Sequence, residues 1–112
     1  MKTKAKGNRI QLKAIKELEL DGWLVSKVEK GGKFAVEKDM FGLFDVVAVR
    51  RGQCLFVQLT CNRNHPHTQY QEFSKEYHNN GISFEQWVWY DRKGWRKFKY
   101  LLGGIIEEDL RK

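Results

Sequence analysis

The stretch FDVVAVRRGQCLFVQLT, residues 44–60, constrains the fold more than any other part of the chain. Arg51-Gly52 divides two runs rich in β-branched and aromatic residues, which is the pattern of a β-hairpin with a two-residue turn. With that turn Arg50 falls opposite Gln53, and counting back places Asp45 opposite Gln58. Side chains alternate across a strand, so Thr60 shares the face of Gln58, while Val47 and Phe56 lie on that face nearer the turn. Phe44, Val46 and Ala48 with Leu55, Val57 and Leu59 make the other face continuously apolar. A hairpin of this composition needs cover on both sides, which predicts a sheet sandwiched between helices. Asp45, Gln58 and Thr60 then form a polar cluster at one end of a buried hairpin. An unpaired buried carboxylate costs several kcal/mol, by order of magnitude. The cluster therefore calls for a partner, either a metal ion or, more simply, a capped backbone group or an ion pair with Lys33 or Lys38.

The flanking segments supply the helices. Ile10, Ala14, Ile15 and Leu18 recur at helical spacing between Asn8 and Asp21, and Asp21-Gly22 ends the pattern. Trp23 to Glu29 alternates as a strand, Gly31-Gly32 marks a turn, and Phe34 to Val36 resumes the strand. Thr68 to Asn79 reads as a second helix with Tyr70, Phe73 and Tyr77 on one face, closed by Asn80-Gly81. Phe84 to Tyr90 and Trp95 to Tyr100 form a second strand pair across Asp91-Arg92-Lys93-Gly94. The expectation is a single α/β domain over residues 1–112, with one mixed central sheet and the order α-β-β-β-α-β-β. Its core spans about residues 7–100, with a basic arm at 1–9 and a tail at 101–112 to which the pattern assigns no element. Four Trp, four Tyr and seven Phe in 112 residues suffice for one modest core.

Charge and thiols narrow the chemistry. The formal net charge is +7, and the basic residues fall in two blocks: Lys2, Lys4, Lys6, Arg9 and Lys13, then Arg92, Lys93, Arg96, Lys97 and Lys99. In the second block Trp89, Tyr90, Trp95, Phe98 and Tyr100 interleave with the cations, which suits stacking beside phosphate contacts, although about half of these rings are needed for the core. Arg63, Asn64, His65 and His67 precede the second helix and suit phosphate contacts at its N-terminus; the alternative is a helix-entry loop capped by Thr68. Cys54 and Cys61 are too few for a disulfide framework and read as reduced thiols. Cys54, Cys61, His65 and His67 match no common zinc spacing, and no third group organises a Cys–His nucleophile. There is no apolar run of spanning length and no secretory leader, so the expectation is a cytoplasmic protein without membrane contact, nucleoid-associated or virus-encoded.

Taken together, the helix, the Gly-containing turn, the Asp-bearing strand and the hairpin into a third strand resemble the PD-(D/E)XK nuclease superfamily. The likeness is to the archaeal Holliday junction resolvases and to small resolvase-like phage and microbial proteins, and it covers about residues 7–100. The segments EKDMFGLFDVVAV, FVQLTCNRN and WVWYDRKGWRKF carry it. In that family a first-helix Glu, the Asp of the second strand and the acid-x-Lys of the third hold Mg²⁺ and a water. Asp45 matches the Asp. Gln58-Leu59-Thr60 falls on acid-x-Lys, with Gln for the acid and Thr for the Lys, and Gln11 falls near the first-helix acid. A Gln carbonyl is a weaker, neutral oxygen ligand, and Thr lacks the ammonium of Lys. Asp39 and Glu37 in the approach to Asp45, Glu17 and Glu19 on the first helix, and Lys33 or Lys38 are candidate replacements.

What the resemblance implies is a Mg²⁺- or Mn²⁺-dependent endonuclease acting on DNA, branched DNA in particular, as a homodimer. Asp45, Gln58, Thr60 and Asp39 would carry catalysis, with Asp45, Gln58 and Asp39 on the metal. Lys4, Lys6, Arg9, Arg63, His65, His67, Arg92, Lys93 and Arg96 would contact nucleic acid, and Trp87, Trp89, Ile105 and Ile106 are candidate dimer surface. The competing classes are a nucleic-acid-binding module that keeps the old active site as a structural polar cluster, and a protein-interaction module.

Overall fold

In the computed structural model, residues 3–27 and 43–112 are described, with side chains of the first helix described from Arg9 onward. The strand expected at Phe34 to Val36, the Gly31-Gly32 turn, and Lys33, Glu37, Lys38 and Asp39 lie outside the described residues.

Helix α1 runs Thr3–Leu20, so the residues expected as a basic arm from Thr3 onward are its opening turns. Ile10, Ala14 and Leu18 are buried one turn apart along its inner face. Gly22, at φ +90°, ends it. The Gly22 amide donates to Glu19 O at 3.0 Å and the Trp23 amide to Leu18 O at 3.1 Å, the paired bonds of a Schellman cap. The chain then enters β1 (Leu24–Lys27), the described part of the strand expected from Trp23.

Strands β2 (Val46–Arg50) and β3 (Gln53–Cys61) form the expected hairpin, with Arg50 opposite Gln53. Helix α2 (His67–Tyr77) follows. It starts one residue before Thr68, with Pro66 at the cap position and no side-chain cap. It carries the chain back so that β4 (Ile82–Tyr90) lies parallel to β3. Strand β5 (Gly94–Leu101) returns antiparallel. The tail is a further strand, β6 (Gly104–Asp109), on the edge beyond β5. The six strands form one mixed sheet in sequence order.

The helices take opposite faces. Under α1, Val46, Ala48, Leu55 and Val57 pack with Trp87 and Trp95; under α2, Phe44, Tyr70, Phe84, Val88, Phe98 and Tyr100 form a second cluster. Phe44 thus departs from its expected face, opposite to Val46. The cause is local: Val57 is registered with Val46, yet its carbonyl also accepts the Asp45 amide at 2.9 Å. Two residues share one partner, as in a β-bulge, and the extra residue turns Phe44 over. Its ring stacks on Phe84 at 5.5 Å and meets Tyr70 edge-on.

Strand β6 is held by its ladder to β5 and by Ile105 against the α2-side cluster, and its acids face the cations of β5. Its register sets Arg96 opposite Asp109 and Lys97 opposite Glu108, and Arg96 pairs with Glu107. No helix among the described residues is long and apolar enough to cross a membrane.

Candidate functional site

The bulge decides how Asp45 is presented. It sits at the N-terminal end of β2, half-buried, and its Oδ2 accepts the Leu59 amide of the neighbouring strand at 3.0 Å. Gln58 is 5 % exposed. Its amide is satisfied in one orientation, with the nitrogen donating to Asp45 Oδ2 at 3.3 Å and to the Leu43 carbonyl at 2.5 Å. Acid and amide are therefore neighbours, as the hairpin count predicts, although the inserted residue offsets their strict pairing. Thr60 lies two residues beyond Gln58, and its Oγ1 is buried with no hydrogen-bond partner among the described residues. A buried hydroxyl left without a partner costs roughly 1–3 kcal/mol, so this atom is available to a polar ligand or a water.

Gln58 is registered with Gln86 on the parallel strand β4, a residue to which the sequence reading assigned no role. Gln86 is fully buried. Its Oε1 accepts the His65 amide at 2.6 Å, and its Nε2 donates to Tyr100 Oη at 2.7 Å and, more weakly, to the His65 carbonyl at 3.4 Å. The signal for it was present: Phe84, Gln86 and Val88 alternate on one face, so an amide is inserted into an apolar row.

The two histidines differ. His67 is half-buried, with Nδ1 2.8 Å from Tyr100 Oη and Nε2 3.3 Å from Asn64 Nδ2. A neutral ring with its proton on Nδ1 satisfies both contacts, the asparagine donating to Nε2. Burial, and then the Arg96 charge, lower the His67 pKa, with Glu107 partly opposing them. Burial pushes the Tyr100 phenol up. His65 is exposed, and its ring meets Tyr70 Oη at 3.3 Å. The geometry therefore leaves His65 open to a ligand and commits both ring nitrogens of His67 to the fold.

Beyond Thr60 the chain turns at Asn62, which adopts a left-handed φ of 64°. The Asn62 side chain donates to Asp91 Oδ2 at 3.0 Å and accepts the Asp91 amide at 3.1 Å. That bracket ties the loop carrying Arg63 to the β4–β5 turn carrying Arg92 and Lys93, all three exposed. Lys13 of α1 reaches the same end, its Nζ 5.1 Å from the Trp89 ring. These residues make a basic rim at the end of the sheet where Asp45 lies.

Other expected cations are used differently. Arg96 pairs with Glu107 and lies 4.8 Å over Phe98. Lys97 sits 3.8 Å over Trp87 and binds Glu17 at 2.6 Å. Glu17, a candidate replacement acid, is therefore paired with Lys97. Arg9 is exposed; the side chains of Lys4 and Lys6, and the whole of Asp39, fall outside the described residues. Of the interleaved rings, Trp95, Phe98 and Tyr100 are core, and Trp87, offered as dimer surface, is core as well. Trp89 and Ile105 are half-buried, and Ile106 is exposed.

The donor set tests the metal expectation. Among the described residues no group of three His, Cys, Asp or Glu could hold an ion. What they offer a hard cation is the Asp45 carboxylate and the orphaned Thr60 hydroxyl; Gln58 turns its nitrogen, not its carbonyl, toward Asp45. The pair fits as part of a site that needs a further oxygen ligand.

No protein-family model matches the chain, and no curated protein matches its sequence. Among solved structures it is similar to Hjc, a Holliday junction resolvase of the archaeal hyperthermophile Archaeoglobus fulgidus. The two share 17% sequence identity over 93% of this chain and 84% of that one, with a TM-score of 0.56. With the mixed sheet and its flanking helices, that likeness gives this chain a restriction-endonuclease-like fold.

Proposed function

We propose that the protein acts on DNA through the Asp45 end of its sheet, as a divalent-metal-dependent endonuclease with branched DNA as its substrate. The observation that carries this reading is a carboxylate fixed on a strand by the Leu59 amide, beside an orphaned buried hydroxyl, at the end of the sheet rimmed by Arg63, Arg92, Lys93 and Lys13. Asp45 and Thr60 would hold Mg²⁺ together with an oxygen from the approach segment that contains Asp39. The chemistry such an ion would supply when bound is polarisation of the scissile phosphate and acidification of the attacking water. The rim cations bind phosphates on either side, and the loop from Asn62 to Pro66 presents His65 to the backbone. Cutting both strands of a branched substrate takes two such sites, so the acting form is a symmetric dimer.

A second reading is favoured by the amide geometry. Gln58 offers Asp45 a donor where a metal site would offer another oxygen, which suits a nuclease-fold module that binds DNA without cutting it. Incubating the protein with supercoiled plasmid and a four-way junction, with Mg²⁺ or Mn²⁺, separates the two. Nicked or resolved product supports the endonuclease; a mobility shift without product supports the binding module. Absence of any shift at low salt removes both.

A further inference from the structure

Two buried glutamines stand side by side on the α2 face of the sheet. Gln58 and Gln86 are registered partners on the parallel strands β3 and β4, 5 % and 0 % exposed. Each spends its amide on a segment that enters the Asp45 end from outside the sheet. Gln58 holds the Leu43 carbonyl and Asp45 Oδ2; Gln86 holds the His65 amide and, through Tyr100 Oη, the ring of His67.

Burying an amide among Phe44, Phe84, Val88 and Phe98 is unfavourable unless both of its ends are bonded. Apolar residues at these two positions would complete the aromatic layer, and the sequence departs from that layer at these neighbouring points. Both departures bond irregular backbone: the bulge that presents Asp45, and the loop that carries Arg63 and His65. Irregular backbone next to a sheet needs partners for its amides and carbonyls, and a side-chain amide can supply a donor and an acceptor at once.

We propose that Gln58 and Gln86 are a matched pair of positioning residues, one for each of the two segments that wall the Asp45 end of the sheet. Gln58 fixes the wall that carries Asp45, and Gln86 fixes the wall that carries Arg63 and His65. This rests on the DNA-acting reading only for its purpose; the clamping itself is a property of the free protein. It also explains why an amide stands at position 58: a carboxylate there would lack the proton that bridges to Asp45 Oδ2 and to the Leu43 carbonyl.

The test is amide hydrogen exchange on the free full-length chain, resolved by residue, for wild type, Gln58→Met, Gln86→Met and Gln86→Glu. Gln86→Met should speed exchange at His65 by roughly five- to tenfold, the loss of about one hydrogen bond, and leave Leu59 unchanged. Gln58→Met should do the reverse, because Leu59 is protected by the Asp45 carboxylate that Gln58 steadies. Gln86→Glu keeps an acceptor for the His65 amide and should restore its protection. Each Met variant should also weaken binding to a four-way junction, Gln86→Met with a shallower salt dependence because a cationic wall is released. Unchanged exchange at His65 and Leu59, or equal acceleration across the whole sheet, would overturn the clamp. Local exchange changes with unaltered DNA affinity would leave the clamp standing and remove the DNA-acting role of these walls.

Discussion

The two ends of the β2–β3 hairpin handle charge in opposite ways. At the turn end, Arg50 lies 4.1 Å over the Trp23 ring, donates to Gln53 Oε1 at 2.8 Å and to the Asp21 carbonyl at 2.9 Å, and pairs with Asp21 Oδ2 at 3.4 Å. Its charge is absorbed by Gln53 across the turn and by Asp21 and Trp23 at the end of α1. At the other end, Asp45 accepts from a backbone amide and a side-chain amide, and among the described residues the buried Thr60 hydroxyl has no partner. Stability explains the first end completely. The second end keeps polar groups that apolar residues would replace at a gain, and such local departures from the packing rule are where function is sought.

The contrast breaks first at Asp45. Asp45→Asn should lower any cleavage by more than about a hundredfold, above what removal of an outer-sphere metal partner costs, while leaving junction binding in place, since it removes a charge that repels phosphate. A gel shift and a cleavage assay on the same preparations check it, and undiminished cleavage would remove Asp45 from the reaction. Next comes Gln58→Glu. Two facing carboxylates should cost about 2 kcal/mol, a drop in Tm on the order of 5–10 °C in EDTA, recovered on adding Mg²⁺ if the added oxygen completes the site. A drop without recovery would show that the Asp45 end cannot be turned into a cation site by charge alone.

At the turn end, Arg50→Ala should cost roughly 1 kcal/mol through the lost ring and hydrogen-bond contacts and leave DNA binding unchanged. Denaturant melts and gel shifts test both halves, and a loss of DNA affinity would erase the contrast between the ends. The smallest effect is the pH response of His67. Its folded pKa lies below the ordinary value of 6.5, so the unfolded chain takes up this proton first as pH falls. Stability should therefore be intact above about pH 6.5 and decline as pH drops through and below it. His67→Gln should flatten that slope in melts between pH 7.5 and pH 5.5.

The parts of this fold legible in the sequence are those set by short periods. Gly52, at φ +72°, makes the Arg51-Gly52 turn, and the turn fixed the register that puts Asp45 beside Gln58. Ile10, Ala14 and Leu18 gave the inner face of α1. The bulge was not legible, because whether Asp45 and Val46 share Val57 depends on the pull of Phe44 toward Phe84 and Tyr70, contacts distant in sequence. Strand β6 was missed for a different reason. Its second half, Glu107-Glu108-Asp109, reads as a solvated tail until the cations of β5 are set opposite. At the candidate site the hairpin count set the Gln58 amide beside the Asp45 acid, as the structure has it. The role of the amide depends on which of its ends faces the acid, and that is a property of packing.

Strand β6 also has a consequence for approach. Its register carries Glu107, Glu108 and Asp109 level with Gln58, Leu59 and Thr60, at the same end of the sheet as Arg92 and Lys93 but on its outer edge, where they face Arg96 and Lys97 and Asp109 binds Arg111. The net +7 is thus distributed unevenly. In the field of a polyanion the acids of that edge repel while the basic rim attracts, so a nucleic-acid backbone would be steered across the Asp45 end toward Arg63 and away from β6.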